Sequence, residues 1–338
     1  MNRLANRFPI VVRTLAAIAA SLLMSTARAD LLVGNFFDPN LNVLRYDNTG
    51  AFVGVFVPSL SGGLSFPLGG SYGPDGNFYV SDSDHDAVLR YNGTTGAFID
   101  AFVPPGNAED AAGLVFGPDG NLYVASSSDP GAVLRFNGVT GASLGEFVAA
   151  GSGGLADPEE LTFGPDGNLY VASGDTNAVL EYDGTTGAFI GTFASDNGLS
   201  SPRGLTFGPD GNLYVSNFGY GGANGAVLRF NGSTGAFIDD FVSGDMTANG
   251  GVQLPRPLVF GPDGNLYLGS FGTGDILRYS GTTGDFINVF VPAGSGGLGG
   301  PTFLLFHDFA PTAASEPPIL LLVGLGLAGI LFMRRRIS

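Results

Sequence analysis

Gly208-Pro209-Asp210-Gly211-Asn212-Leu213-Tyr214 is one of five near-copies of a single phrase, the others lying at 73–79, 117–123, 164–170 and 261–267. Phe78, in place of leucine, is the one change among them. In each copy Pro presets φ for a tight turn and the second Gly supplies φ > 0, so the phrase reads as a turn running into a strand. A second phrase, typified by Val88-Leu89-Arg90-Tyr91, occurs six times around Leu44, Leu89, Leu134, Leu180, Leu228 and Leu277. A turn such as Asn92-Gly93-Thr94-Thr95-Gly96 follows it, and then an apolar run such as Ala97-Phe98-Ile99-Asp100-Ala101-Phe102-Val103.

One unit therefore reads as four short antiparallel strands. Strand a is of the type Gly204-Leu205-Thr206-Phe207, b covers 212–216, c covers 226–230 and d covers 236–242. Asn-Gly between c and d is a hairpin signal. Four strands at a period in the mid-forties match a propeller blade, and the turn chemistry with β-branched and aromatic runs excludes helix-pair solenoids. The ends count the blades. The first unit starts at strand b (31–36), and the last is followed by Gly300-Pro301-Thr302-Phe303-Leu304-Leu305-Phe306, a strand a without its turn. That segment completes the first blade, giving an all-β, six-bladed propeller with no free edge.

The repeats resemble the NHL-type and related six-bladed propellers over residues 31–307. The resemblance implies the fold, while members of that superfamily range from gluconolactonase-like hydrolases and streptogramin lyases to binding proteins. Gluconolactonase-like sites use Glu, Asn and Asp around one metal, and Glu159 or Glu160 would supply the Glu. The lyases use paired histidines near a metal. This chain has two histidines, His85 and His307, with no such pairing visible.

Composition narrows the function. The 338 residues include 56 glycines, no cysteine and no lysine, with a formal charge of −16. No disulfide or Cys-metal site can form. Of the 14 basic residues, all arginine, Arg3, Arg7, Arg13 and Arg28 lie near one end, and Arg334, Arg335 and Arg336 near the other. The body between is acidic and repels phosphate backbones, which argues against nucleic acid as a partner.

Residues 1–29 read as a signal peptide. It has a basic start, an apolar stretch at 14–24 too short to span a bilayer, and an A-x-A site at Ala27-Arg28-Ala29 for signal peptidase. Residues 30–308 form the propeller and 309–314 a linker. Residues 315–338 carry Ser315-Glu316-Pro317-Pro318, an apolar run at 319–333, and the three arginines, which stay cytoplasmic by the positive-inside rule. This tail resembles the PEP-CTERM sorting signal of Gram-negative bacteria, with Ser315 where the first proline usually stands. The resemblance implies processing by an exosortase, a transient or permanent inner-membrane anchor, and display at the cell surface. A plain membrane anchor is the alternative.

In such blades the b–c and d–a loops share one face, where variable residues gather. At the start of strand a the aligned positions are Leu68, Ala112, Glu159, Arg203, Arg256 and Thr302, with Glu160 beside Glu159. Glu159, Glu160, Arg203 and Arg256 are the candidate binding residues at the channel mouth. The arginines could grip a carboxylate or sugar acid bidentately, and a local salt-bridge cluster is the alternative. Asp82, Asp84 and Asp86 alternate as at the opening of a Ca²⁺ loop, though the later Glu and central Gly of an EF-hand are missing. A solvated acidic loop is the other reading. No serine stands at a spacing from either histidine that suggests a Ser-His-Asp triad. The expectation is a non-enzymatic binding or structural propeller of the extracellular polysaccharide matrix, or one that binds another surface protein, with no cofactor. A metal-dependent hydrolase or lyase and a Ca²⁺-stabilised adhesin are the alternatives.

Overall fold

A computed structural model describes residues 29–36, 41–219, 225–243 and 250–309. The signal-peptide residues 1–28, with Ala27, and the tail from residue 310, with its sorting motif, lie outside the described residues. Ala29 opens the first strand, Ala29–Asn35. Among the described residues no helix is long and apolar enough to cross a membrane.

Among the described residues, twenty-four strands form six four-stranded antiparallel sheets, each a blade. Blade 1 takes its innermost strand, Pro301–Asp308, from the far end of the unit; this strand pairs with Ala29–Asn35. Blades 2 to 6 run a–b–c–d in chain order, with strands a at Pro67–Tyr72, Ala111–Phe116, Pro158–Phe163, Pro202–Phe207 and Pro255–Phe260. The seam is sealed by one buried side chain. Asn35 accepts from Gly299 N and Gly300 N through Oδ1, and donates from Nδ2 to Gly297 O.

Each Gly-Pro-Asp-Gly-Asn turn is built the same way. Asp210 Oδ1 accepts from Asn212 N, and its Oδ2 accepts from Asn212 Nδ2 and Tyr214 Oη. Gly211 sits at φ +78, where a side chain would be strained. Burial alone would raise the Asp210 pKa. The bonds from Asn212 and Tyr214 and the charge of Arg229 outweigh it and hold the carboxyl below its usual range. The repeated aspartate is therefore a turn and anchor residue.

The core lies between blades. Tyr79 meets Phe102 of its own blade and Phe116 of the next edge-on, both at 4.9 Å between centroids. Tyr123, Tyr170, Tyr214 and Tyr267 repeat the wedge. Such pairs contribute roughly 0.5–1.5 kcal/mol each beyond their buried area.

The strand-c arginines lie over phenylalanines, as Arg90 does over Phe102 at 5.1 Å and Arg229 over Phe241 at 5.0 Å. Blade 4 departs here: Glu181 replaces the arginine and accepts from Asn168 Nδ2 at 2.7 Å and Tyr170 Oη at 3.2 Å. A second alternation follows loop type. Tyr46, Tyr91 and Tyr182 end their strands c by donating to the serine carbonyl of a Ser-Gly-Gly turn, at Ser295, Ser61 and Ser152. Phe136 and Phe230 follow loops that lack Ser-Gly-Gly, as does Tyr279.

Candidate functional site: the channel mouth and the chamber beneath it

The six strands a meet around the axis. Leu68, Ala112, Glu159, Arg203, Arg256 and Thr302 line a narrow mouth together with Glu160. The second residue of each strand would be the natural point of charge, and only blades 4 to 6 place charge there. Glu159 is buried and takes both arginines. One of its oxygens meets the Arg203 guanidinium and the other accepts from Arg256 Nη2 at 2.6 Å. Arg203 Nη1 also reaches Asp157 Oδ2 at 3.2 Å. The salt-bridge alternative is therefore what the structure shows, with the guanidiniums already turned onto Glu159.

The arginines are also stacked. Arg203 lies over Phe218 at 5.3 Å and Arg256 over Phe271 at 5.9 Å. Phe271 stacks on Phe36 at 6.0 Å, and Phe36 meets Phe66 edge-on at 4.4 Å. Phe36, Phe218 and Phe271 follow strand b in blades 1, 5 and 6, where blades 2, 3 and 4 have Ser83, Ser127 and Gly174. Sequence reasoning missed this aromatic row, although the residue after each strand b can be aligned by eye.

Below the mouth the channel widens into a chamber of about 180 Å³. Leu114, Val115, Leu161, Leu205, Leu258 and Phe303 line it among others, the surface left open is more polar than apolar, and Glu160 is its single titratable group. At the same position of strand a the other blades have Gly69, Gly113, Gly204, Pro257 and Phe303. Gly113 gives Glu160 its room, since a Cβ there would lie 2.8 Å from Glu160 Oε1. Burial pushes the Glu160 carboxyl up to about 7, against the lowering effects of the Leu161 N–H and the Arg256 charge.

In the loop at 82–86 the carboxylates take neighbouring donors, and Asp82 and Asp84 both accept from Ser65 Oγ. Buried Asp82 Oδ1 accepts from Phe66 N at 2.8 Å, Asp84 Oδ2 accepts from Ser65 Oγ, and Asp86 Oδ1 accepts from Asp110 N. Ser65 Oγ lies 3.0 Å from His85 Nδ1, which lies 2.9 Å from Asp82 Oδ2. The loops thus assemble the Ser-His-Asp set that spacing did not suggest. Both contacts fall on the same ring nitrogen, whereas a relay needs Asp on one and Ser on the other. His307 stacks on Tyr72 at 3.7 Å, away from His85 in the chain and in a different blade.

A gluconolactonase-like metal does not fit the donors present. Glu160 is the chamber's one carboxylate, Glu159 is committed to two guanidiniums, and a hard cation needs six or more oxygens. Among the described residues no group of three or more His, Cys, Asp or Glu could hold a metal ion.

Fold and site together define a six-bladed β-propeller with one asymmetric mouth. No family model and no curated protein sequence matches the chain. Among solved structures it is similar to a chain of the nidogen/laminin complex, with a TM-score of 0.63 and 14% identity over 82% of this chain and 98% of that one. A catalytically inactive virginiamycin B lyase from Staphylococcus aureus with quinupristin gives 0.56 and 15%, over 85% and 94%. A gluconolactonase from Xanthomonas campestris gives 0.55 and 18%, over 70% and 79%. At such identities the likeness is one of fold.

Proposed function

We propose that the chain is an exported propeller, displayed at the cell surface through its C-terminal sorting signal, that binds acidic polysaccharide of the extracellular matrix without turning it over. One observation carries the binding: the aromatic and guanidinium departures around the mouth gather on the neighbouring blades 5, 6 and 1. Blades 1, 5 and 6 bring Phe36, Phe218 and Phe271, while blades 5 and 6 bring Arg203 and Arg256. Guanidinium and aromatic edge together suit what a uronic acid presents, a planar carboxylate on a ring with C–H faces. Glu159 and the rings hold both arginines in place beforehand, so little side-chain freedom is lost on binding. The acidic body opposes such polymers at long range, but at physiological ionic strength that field is screened beyond about 8 Å. Export and sorting rest on the basic, apolar and small-residue pattern at 1–29 and the tail at 315–338.

Calorimetric titration of the full chain with an oligouronate and its neutral counterpart tests the reading. Saturable binding of the acidic oligomer is expected, weakened roughly tenfold in Arg256→Met by loss of a charge-assisted contact. Equal binding of both oligomers, or no change in Arg256→Met, would sink it. Lactone hydrolysis with stoichiometric bound metal would move support to the metal-dependent hydrolase.

A further inference from the structure

We propose that the chamber below the mouth is a second binding site, for a small organic ammonium ion, with Glu160 as its counter-charge. The proposal goes beyond the polysaccharide reading and fails or stands separately from it. Three features of the structure support it.

Position comes first. Glu160 breaks the repeat at a place where blades 2, 3 and 5 have glycine, and Gly113 leaves open the space the carboxyl occupies. Partnering comes second. The one protein hydrogen bond to the Glu160 carboxyl is from Leu161 N, its own chain neighbour, at 3.2 Å, and no ion pair reaches it. The charged groups nearest it along the strands packed around it are Glu159, Arg203 and Arg256, and these are engaged with one another. A carboxyl kept in an enclosed chamber without a cationic partner costs stability, whereas a bound ammonium would supply that partner.

Size and access come third. About 180 Å³ is below the range for drug-sized ligands and holds a handful of non-hydrogen atoms. Ser71, Val115 and Thr162 line the chamber and are partly exposed, so water reaches it along the channel. The acidic body draws cations toward the molecule. An alkylammonium needs only one or two acceptors, which this chamber offers, whereas a divalent ion needs a shell of oxygens that it lacks.

The test uses the full chain at pH 6 and 8 with n-butylammonium as the probe, by titration calorimetry in buffers of different ionisation enthalpy. Saturable binding to the wild type is expected, weakened roughly tenfold or more in Glu160→Gln. 1-Butanol should bind the two proteins equally. Butylammonium should also displace a proton from Glu160 at pH 6 and little at pH 8, a linkage that a merely structural glutamate would not show. Should Glu160→Gln unfold, Val115→Phe narrows the chamber while keeping the carboxyl, and it too should abolish binding. Equal butylammonium binding in wild type and Glu160→Gln, no saturation, or competition by Ca²⁺ at matched concentration would each overturn the proposal.

Discussion

Replacing Glu159 with alanine is expected to lower the stability of the propeller by about 3–5 kcal/mol, with the lower end favoured because the arginines are not wholly buried. Glu159 is 8% exposed and accepts from guanidiniums on two different blades, so its loss leaves Arg203 and Arg256 facing each other across the mouth. Asp157 then remains as partner to Arg203 alone. A buried charge deprived of its partner costs far more than the pair itself gains. The fall in thermal midpoint should be of the order of 6–12 °C, at roughly 2–4 °C per kcal/mol for a domain of this size. The triple variant Glu159→Leu, Arg203→Met and Arg256→Met removes the whole network and should recover most of that loss. If Glu159→Ala unfolds at the wild-type midpoint, the clamp is not a structural element of the mouth.

The closing strand supplies the other large effect. Phe303 is 3% exposed and packs over Gly34 of its own blade and Gly70 of the next, with its ring 6.0 Å from that of Phe78. Truncation to alanine should cost about 3–5 kcal/mol through lost transfer energy and the cavity left behind. Ending the chain at residue 300 should do more. It would strip strand Ala29–Asn35 of its inner neighbour and expose an apolar edge, so soluble monomer should give way to aggregate. Sedimentation of the purified proteins distinguishes the outcomes, and a truncated chain that stays monomeric with the wild-type midpoint would show that the ring does not depend on this strand.

Blade number, strand order and ring closure were legible in the sequence because each rests on local periodicity: a turn phrase, a hairpin signal and a leftover strand at the end. The order of residues around the mouth followed from the same alignment, so Glu159, Arg203 and Arg256 could be placed before the structure was seen. Their mutual pairing could not, because which side chain turns to which depends on the curvature that brings blades 4, 5 and 6 around the axis. Ser65, His85 and Asp82 met for a similar reason. Asp82 caps the loop that carries Ser65, and that loop's path is not encoded in any spacing. The carboxylates at 82, 84 and 86 take backbone amides and the Ser65 hydroxyl, contacts that depend on how neighbouring loops approach and not on spacing.

Hydrogen exchange followed by mass spectrometry on the full chain, with and without an oligouronate, tests the ring and its asymmetric mouth together. Peptides spanning 29–36 and 301–308 should fall in the slowest class with the inner strands of the other blades, since in a closed ring these amides open only with the whole domain. Added oligouronate should slow exchange in the loops before strands a of blades 5 and 6 and after strands b of blades 1, 5 and 6, leaving blades 2 and 3 unchanged. Rapid exchange of 301–308, or protection spread evenly over all six blades, would contradict the account.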